Sequence, residues 1–362
     1  MRPLEVNPDI SKAKTLPSDF YLDPAYFNKS RESIFARSWQ WVGDVDRVKE
    51  SGWVTPVHLL PDMLDEPLLL SRGNDGSLHC LSNACTHRGN LLVDKPCKVR
   101  DIQCRYHGRR FGLDGKFLSM PEFKEVKDFP TEEDNLQELP LHQWGKWIFT
   151  SVERNENANA YFREMEERMS WLPFDQFVYR PEFSKDYIVD AHWALYCENY
   201  LEGFHIPFVH AGLNSIIDYG SYTTELYSHS SLQLGLTKDD DLVFELPQSS
   251  PDYGKKVVGY YFFIFPNMMF NFYPWGLSIN HVQPISISKT RVSFISYVMD
   301  ESKLRQGAGA NLHQVEMEDE DIVQKVQRGI RSRFYRHGRY SVARETGTHH
   351  FHQLIARFMN LA

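Results

Sequence analysis

Cysteine is scarce in this chain. Its 362 residues include five, Cys80, Cys85, Cys97, Cys104 and Cys197, an odd number that argues against a disulfide-stapled scaffold. Long hydrophobic runs are missing as well. No stretch reaches the ~18 consecutive apolar residues of a membrane span, and MRPLEVNPDISKAKTLPSDFYLD at the amino end has neither an apolar core segment nor a small-residue cleavage motif. A cytoplasmic protein with no membrane contact is the expectation. Positive charge is in deficit: the formal net charge is −8, and no Lys/Arg cluster is dense enough to neutralise a run of phosphates. Nucleic acid is therefore not an expected partner, and a small molecule fits better. Internal repeats and low-complexity tracts are absent too, which excludes solenoids and linker-like chains.

What is present suits a folded protein, with 42% hydrophobic and 24% charged residues and enough length for two cores. Pro24 to Trp39 reads as partly helical. From about Trp41 to Val152 the pattern is strand-like: Glu66–Arg72 precedes the turn Asn74-Asp75-Gly76, and a second Asp-Gly turn lies in Phe111–Phe117. Trp144–Val152 closes this region as a strand, and the polar stretch Glu153–Ala160 reads as a linker. Beyond it, Tyr161–Leu172, Ala194–Phe208 and Glu316–Arg331 read as helices, while Lys256–Phe272 and Thr290–Met299 read as strands. An α+β fold follows, with a segment 1–38 that is helical, an all-β domain over 39–155 and a sheet faced by helices over 156–362.

Two constellations carry chemistry. In the first, Cys85-Thr86-His87 is followed by Cys104-Arg105-Tyr106-His107, each arm offering a thiolate and an imidazole from one loop. Such a set suits zinc or a Rieske [2Fe-2S] cluster. Gly89 and Gly108 allow the two loops to approach closely. Cys80, Cys97 and Cys197 have no partner at ligand spacing and read as buried apolar thiols.

CTHRGN (85–90) and CRYHGRRF (104–111) resemble the Rieske loops of ring-hydroxylating oxygenase α subunits. The resemblance runs from about Trp39 to Phe351. It implies that Cys85 and Cys104 hold the buried iron of a [2Fe-2S] cluster and His87 and His107 the outer one. It also implies an all-β Rieske domain ahead of a helix-grip catalytic domain.

The second constellation is Cys197–His210. Glu202 and His205, three apart, share a helical face, but five residues carry His210 roughly 140° round an ideal helix from His205. Pro207 between them is expected to kink the helix and bring the imidazoles together. Two imidazoles need a carboxylate to complete an Fe(II) site with open positions. Resemblance selects Asp319, in an acidic run thought to open the carboxy-terminal helix, with Glu318 and Asp321 as rivals; the plain alternative is that these acids complement a helix amino terminus. Glu202 stands where the family has an aspartate bridging an iron-ligating histidine to a Rieske histidine of a neighbouring subunit. A glutamate there resembles the subset that oxidises quaternary ammonium compounds; the simpler role is to orient His205. Asn199 is a further catalytic candidate in the same segment.

The aromatic run Tyr260–Trp275 should put half its side chains in the core, with a few lining a substrate pocket for a flat ring or a methylammonium. His349, His350 and His352 are expected to be exposed on a helix. The resemblance implies a terminal oxygenase that uses O₂ and a mononuclear Fe(II) to hydroxylate or oxidatively demethylate a small organic substrate. A quaternary or methylated amine, or an aromatic ring, is the expected substrate. The chain has no Rossmann-type glycine fingerprint, so its electrons should come from NAD(P)H through a separate reductase or ferredoxin. A head-to-tail homotrimer is implied by the same resemblance. A non-catalytic Rieske electron carrier and a zinc-binding interaction protein are the competing readings.

Overall fold

Gly76 and Gly115 take backbone φ values of +85° and +81°, a region open to glycine and strained for other residues, and each ends its Asp-Gly turn as expected. The flanking segments pair accordingly, Glu66–Arg72 with Leu78–Ser82 and Arg110–Phe111 with Phe117–Ser119. The computed structural model describes residues 1–153, 157–238 and 241–361. It divides into one unit of residues 36–155 and a second made of residues 1–35 with 156–362. The boundary expected near residue 155 lies outside the described residues.

In the first unit every strand is short and antiparallel. Trp53–Leu59, Glu66–Arg72 and Leu78–Ser82 form the centre of a five-stranded sheet, and two three-stranded sheets complete the unit. The closing run, read as one strand, is a hairpin: Leu141–Trp144 folds back on Trp147–Thr150, with Gly145 at φ +53° in the turn. Val54, Leu69, Leu81, Ile102 and Phe111 pack around the sulfurs of Cys85 and Cys104. Beside this core lies a feature the sequence did not disclose. Arg109 is 2% exposed, its guanidinium 5.0–5.7 Å from the ring centres of Phe111, Phe117 and Phe129, and it pairs with Asp134 Oδ1 at 2.5 Å.

The second unit contains helices α1 (Ser18–Leu22), α2 (Pro24–Ser30), α3 (Asn159–Arg168), α4 (Trp193–Tyr200), α5 (Ile206–Val209), α6 (Ala211–Asn214), α7 (Leu312–Gly329) and α8 (Thr346–Met359). Its sheet is an antiparallel meander. Thr223–Leu226, Ser230–Leu236, Val257–Ile264, Met268–Tyr273, Gly276–Ser286 and Lys289–Val298 pair in succession, and Val178–Tyr179 and Lys185–Val189 both join the last of them.

The aromatic strands are buried on both faces rather than one. Tyr260 and its neighbours meet Phe244 and Asp252 on one side. On the other, Phe263 meets Phe351 of α8, while Tyr261 faces an internal cavity. Two covering layers, rather than a solvent-exposed face, explain why the run lacks polar alternation. The histidines of α8 also differ from expectation: His349 and His352 are buried and His350 is only partly exposed. Burial is tolerated because partners are available. His349 Nε2 reaches Asn7 O at 2.8 Å, and Tyr340 donates to His352 Nδ1 at 2.5 Å. Among the described residues no helix is long and apolar enough to cross a membrane.

Arg109→Ala removes a buried side chain from three rings and leaves the part-exposed Asp134 unpaired, so it should destabilise the first unit by roughly 1–3 kcal/mol. Calorimetry should register a lowered Tm, and Arg109→Lys should recover only part of the loss because lysine cannot spread its charge over three rings.

Candidate functional site

The two Cys/His arms fold as near copies of each other. The N–H of Cys85 donates to Asn90 O and that of Gly89 to Cys85 O; likewise Cys104 N–H donates to Arg109 O and Gly108 N–H to Cys104 O. Gly89 and Gly108, with φ of +67° and +75°, close the two turns. The outcome is an ordered gradient of exposure. Cys85 and Cys104 are buried, with their thiols within hydrogen-bond reach of each other, while His87 and His107 stand at the half-exposed rim with ring centres 4.8 Å apart.

Donor chemistry at these arms suits a thiolate-imidazole cluster. Backbone N–H groups of His87 and Arg88 point at the Cys85 sulfur. His107 Nδ1 is buried without a hydrogen-bond partner, as a ring nitrogen reserved for a metal would be. Burial, with the neighbouring His107 and Arg88, holds the His87 pKa below its ordinary value and keeps the imidazole in its neutral, ligating form. All five cysteines are free of disulfides; Cys80 and Cys197 are buried as expected, and Cys97 is partly exposed.

In the second unit α4 begins at a buried cap. His192 Nδ1 accepts from Ala194 N–H at 3.2 Å, and burial pushes the His192 pKa down to about 3, leaving the ring a neutral acceptor. Two bonds tie this helix to α7: His192 N–H to Gln327 Oε1 at 2.7 Å, and Tyr196 OH to Glu316 Oε2 at 2.5 Å. The expected single helix over Ala194–Phe208 is not formed. It ends at Tyr200, and the chain turns through Leu201–His205 before α5 starts at Ile206. Pro207 therefore stands in the first turn of a new helix instead of kinking an old one, a position where its missing N–H costs nothing.

Glu202 shapes this turn. Its Oε2 accepts from His205 N–H at 3.0 Å and its Oε1 lies 2.8 Å from His205 Nδ1. Gly203 lies against the ring of Tyr222, where a Cβ would come within 2.6 Å of a ring carbon, so no larger residue fits without a shift. The geometry that follows brings His205 Nε2 and His210 Nε2 to 3.1 Å, with Asp319 Oδ1 at 3.5 Å and 3.0 Å from them. Glu318 takes the far side of His210, its Oε2 2.7 Å from Nδ1. Asp321 turns away to pair with Lys325 at 2.5 Å. Asp319 thus meets both Nε2 atoms, and its rivals do not. It sits well inside α7, which starts at Leu312, so the acidic run does not serve as a helix amino terminus.

With each Nδ1 held by a carboxylate, both Nε2 atoms present lone pairs to the same point. Two ring nitrogens facing each other beside a carboxylate oxygen suit a cation held between them. His205, His210 and Asp319 each offer one donor atom within 4.8 Å of the others and could hold a metal. Burial disfavours a charged His210, yet Asp319 and Glu318 outweigh it and raise the His210 pKa; the same negative potential favours a bound cation.

A cavity of about 110 Å³ adjoins this set, and Asn199, Glu202, His205, His210 and Asp319 all line it. Tyr196, Tyr200, Tyr222, Tyr261 and Tyr273 form much of its wall. Gln233, Tyr261, Asn271 and Ser278 stand in register across four neighbouring strands and face it as one row. Sequence reading left Gly203, Tyr196 and Glu316 without roles and gave Glu318 only as a rival to Asp319, not as the partner of His210 Nδ1. Glu316 had a signal, since it precedes Asp319 by three residues and shares its helical face; the contacts of Glu318, Gly203 and Tyr196 with distant residues had none.

Residues 38–130 match the Rieske [2Fe-2S] domain, and residues 168–361, more than half the chain, match the ring hydroxylating alpha subunit (catalytic domain). The chain is 29% identical over 365 residues to a chloroplastic choline monooxygenase of Beta vulgaris, covering 96% of this chain and 78% of that protein. To the carnitine monooxygenase oxygenase subunit of Escherichia coli (strain K12) it is 25% identical over 366 residues, covering 96% and 94%. Its fold is similar to that of a quaternary ammonium Rieske monooxygenase (TM-score 0.79, 22% identity, 99% of this chain and 100% of that one). It is similar also to naphthalene 1,2-dioxygenase from Rhodococcus sp. (TM-score 0.75, 15% identity, 95% and 94%). The chain belongs to the ring-hydroxylating α-subunit family and is a Rieske-type oxygenase, with a [2Fe-2S] domain ahead of a catalytic domain for mononuclear iron.

Proposed function

We propose that this chain is a terminal oxygenase acting on a quaternary or methylated ammonium compound. In this reading Cys85 and Cys104 hold the inner iron of the cluster, His87 and His107 the outer one, and His205, His210 and Asp319 a mononuclear Fe(II). Bound there, the two metal groups supply electron transfer and O₂ activation. The chain's own residues supply the rest. Glu202 and Glu318 fix the rings of His205 and His210, the turn Leu201–His205 leaves one side of the donor set facing the cavity, and Asn199 offers an amide at the cavity wall.

The observation that carries the substrate reading is a cavity walled by five tyrosines beside the donor set, with no lysine or arginine among its described lining residues. Aromatic faces attract quaternary ammonium groups, and no basic side chain among the described lining residues opposes them. The choline and carnitine monooxygenases among the relatives support the same class. An aromatic hydrocarbon is the second reading, favoured by the fold likeness to naphthalene dioxygenase. The polar row Gln233, Asn271 and Ser278 suits it less, since a hydrocarbon would leave those groups unpaired.

Overall, one atom of O₂ enters a C–H bond of the substrate and the other leaves as water, with two electrons and two protons supplied from outside. A separate reductase or ferredoxin, drawing on NAD(P)H, delivers the electrons, and the enzyme works in the cytoplasm as a head-to-tail homotrimer. In that assembly Glu202 links His205 to a cluster histidine of the next copy.

His205→Ala should lose roughly one iron per chain with the cluster's visible spectrum unchanged, whereas Cys85→Ser should abolish that spectrum; iron analysis and absorption spectra check both, and joint loss of the two metals in His205→Ala would count against separate sites. Glu202→Gln should keep both metals and lose about 10- to 100-fold in turnover, with Glu202→Asp recovering part. Product analysis with a surrogate reductase on choline, carnitine and an aromatic hydrocarbon tests the substrate class, and exclusive oxidation of the hydrocarbon would sink it.

A further inference from the structure

Three carboxylates among the described residues line the cavity, and one of them serves neither histidine of the donor set. Glu202 and Asp319 are committed to His205 and His210, while Glu316, one turn before Asp319 on α7, meets no imidazole. Glu316 is 2% exposed. Its Oε2 accepts from Tyr196, and its Oε1 is buried with no hydrogen-bond partner. No lysine, arginine or histidine pairs with it among the described residues, and burial pushes its pKa well above the usual carboxylate range. A carboxyl group kept at this depth with one oxygen unpaired is costly in an empty cavity. A positive charge entering a few ångströms away favours the ionised carboxylate over the neutral acid that burial favours in the empty cavity, because the low-dielectric wall screens little.

The rest of the lining points the same way. Tyrosine faces are electron-rich, the polar row offers amides and hydroxyls, and neither lysine nor arginine is present among the described lining residues to receive an acid group. We propose that Glu316 is the specificity-determining counterion of this cavity, selecting a cationic ammonium substrate that carries no carboxylate over both neutral isosteres and zwitterions. The inference rests on the methylated-amine reading above and narrows it to alcohol-type cations, whose hydroxyl the polar row can bind. Because Oε1 is covered, Glu316 acts through the field across the wall rather than by contact with the substrate, which makes it a positioning residue.

Calorimetric titration of the metal-loaded enzyme under anaerobic conditions, with choline, its neutral isostere 3,3-dimethylbutan-1-ol and the zwitterion glycine betaine, tests this. Wild type should bind choline more tightly than either of the others. Glu316→Gln keeps the volume and still accepts from Tyr196; it should weaken choline by at least about tenfold, leave the neutral alcohol unchanged, and so erase the preference. Glu316→Asp, which keeps the charge, should retain it. An unchanged preference in Glu316→Gln, including the case where turnover alone falls, overturns the inference. So does wild type that binds betaine or the neutral alcohol as tightly as choline, a result that needs no variant to fold. If wild type binds none of the three while still oxidising another class of substrate, the methylated-amine reading itself fails.

Discussion

His205 and His210 cannot point at one spot from an unbroken helix, because five residues carry them roughly 140° apart. The second unit is organised around relieving that constraint. Helix α4 stops at Tyr200, Glu202 holds the turn by accepting from His205 N–H, and α5 restarts at Ile206 with proline in its first turn. Once the chain has turned, the two Nε2 atoms stand 3.1 Å apart and α7 brings Asp319 to meet them. Everything else that matters to the site either fixes this turn or closes the cavity beside it.

Fixing it takes contacts from far along the chain. Tyr196 and His192 tie α4 to Glu316 and Gln327 of α7, so the helix that delivers the histidines and the helix that delivers the carboxylate are registered by two buried hydrogen bonds. Behind the turn, α8 packs Phe351 against Trp193 and Phe263, and Gly347 of α8 approaches Leu201 so closely that a Cβ would lie 2.4 Å from its carbonyl oxygen. The site is thus set into a packed interior, which holds donor atoms in place better than a surface loop could.

The cluster arms solve an easier problem. Each is a short loop whose turn-closing backbone hydrogen bonds lie within six residues, with a glycine at positive φ, and each delivers a buried cysteine sulfur and a rim imidazole. That local character is why Cys85, His87, Cys104 and His107 could be singled out from spacing, whereas Arg109, whose burial depends on Phe129 and Asp134 from farther along the chain, could not. The same distinction explains the misreadings. Pro207 signals a helix boundary but does not say which side of the break it serves, and an aromatic run does not reveal whether one face or two are covered. The α8 histidines looked exposed because their partners, Asn7 and Tyr340, lie outside the helix.

By itself the sequence determined the two-part organisation, the hairpin turns at Asp-Gly pairs, the four Cys/His residues of the first arms and the histidine pair of the second. All of these depend on residue type and short spacing, which local backbone sterics and donor chemistry make informative. Only the tertiary structure decided among Glu318, Asp319 and Asp321, since neighbours on one helix point in different directions and which of them faces His205 and His210 depends on how α7 is docked. It also decided that Glu316 and five tyrosines share a cavity, because residues from α4, α7 and the sheet meet there only after the chain has folded.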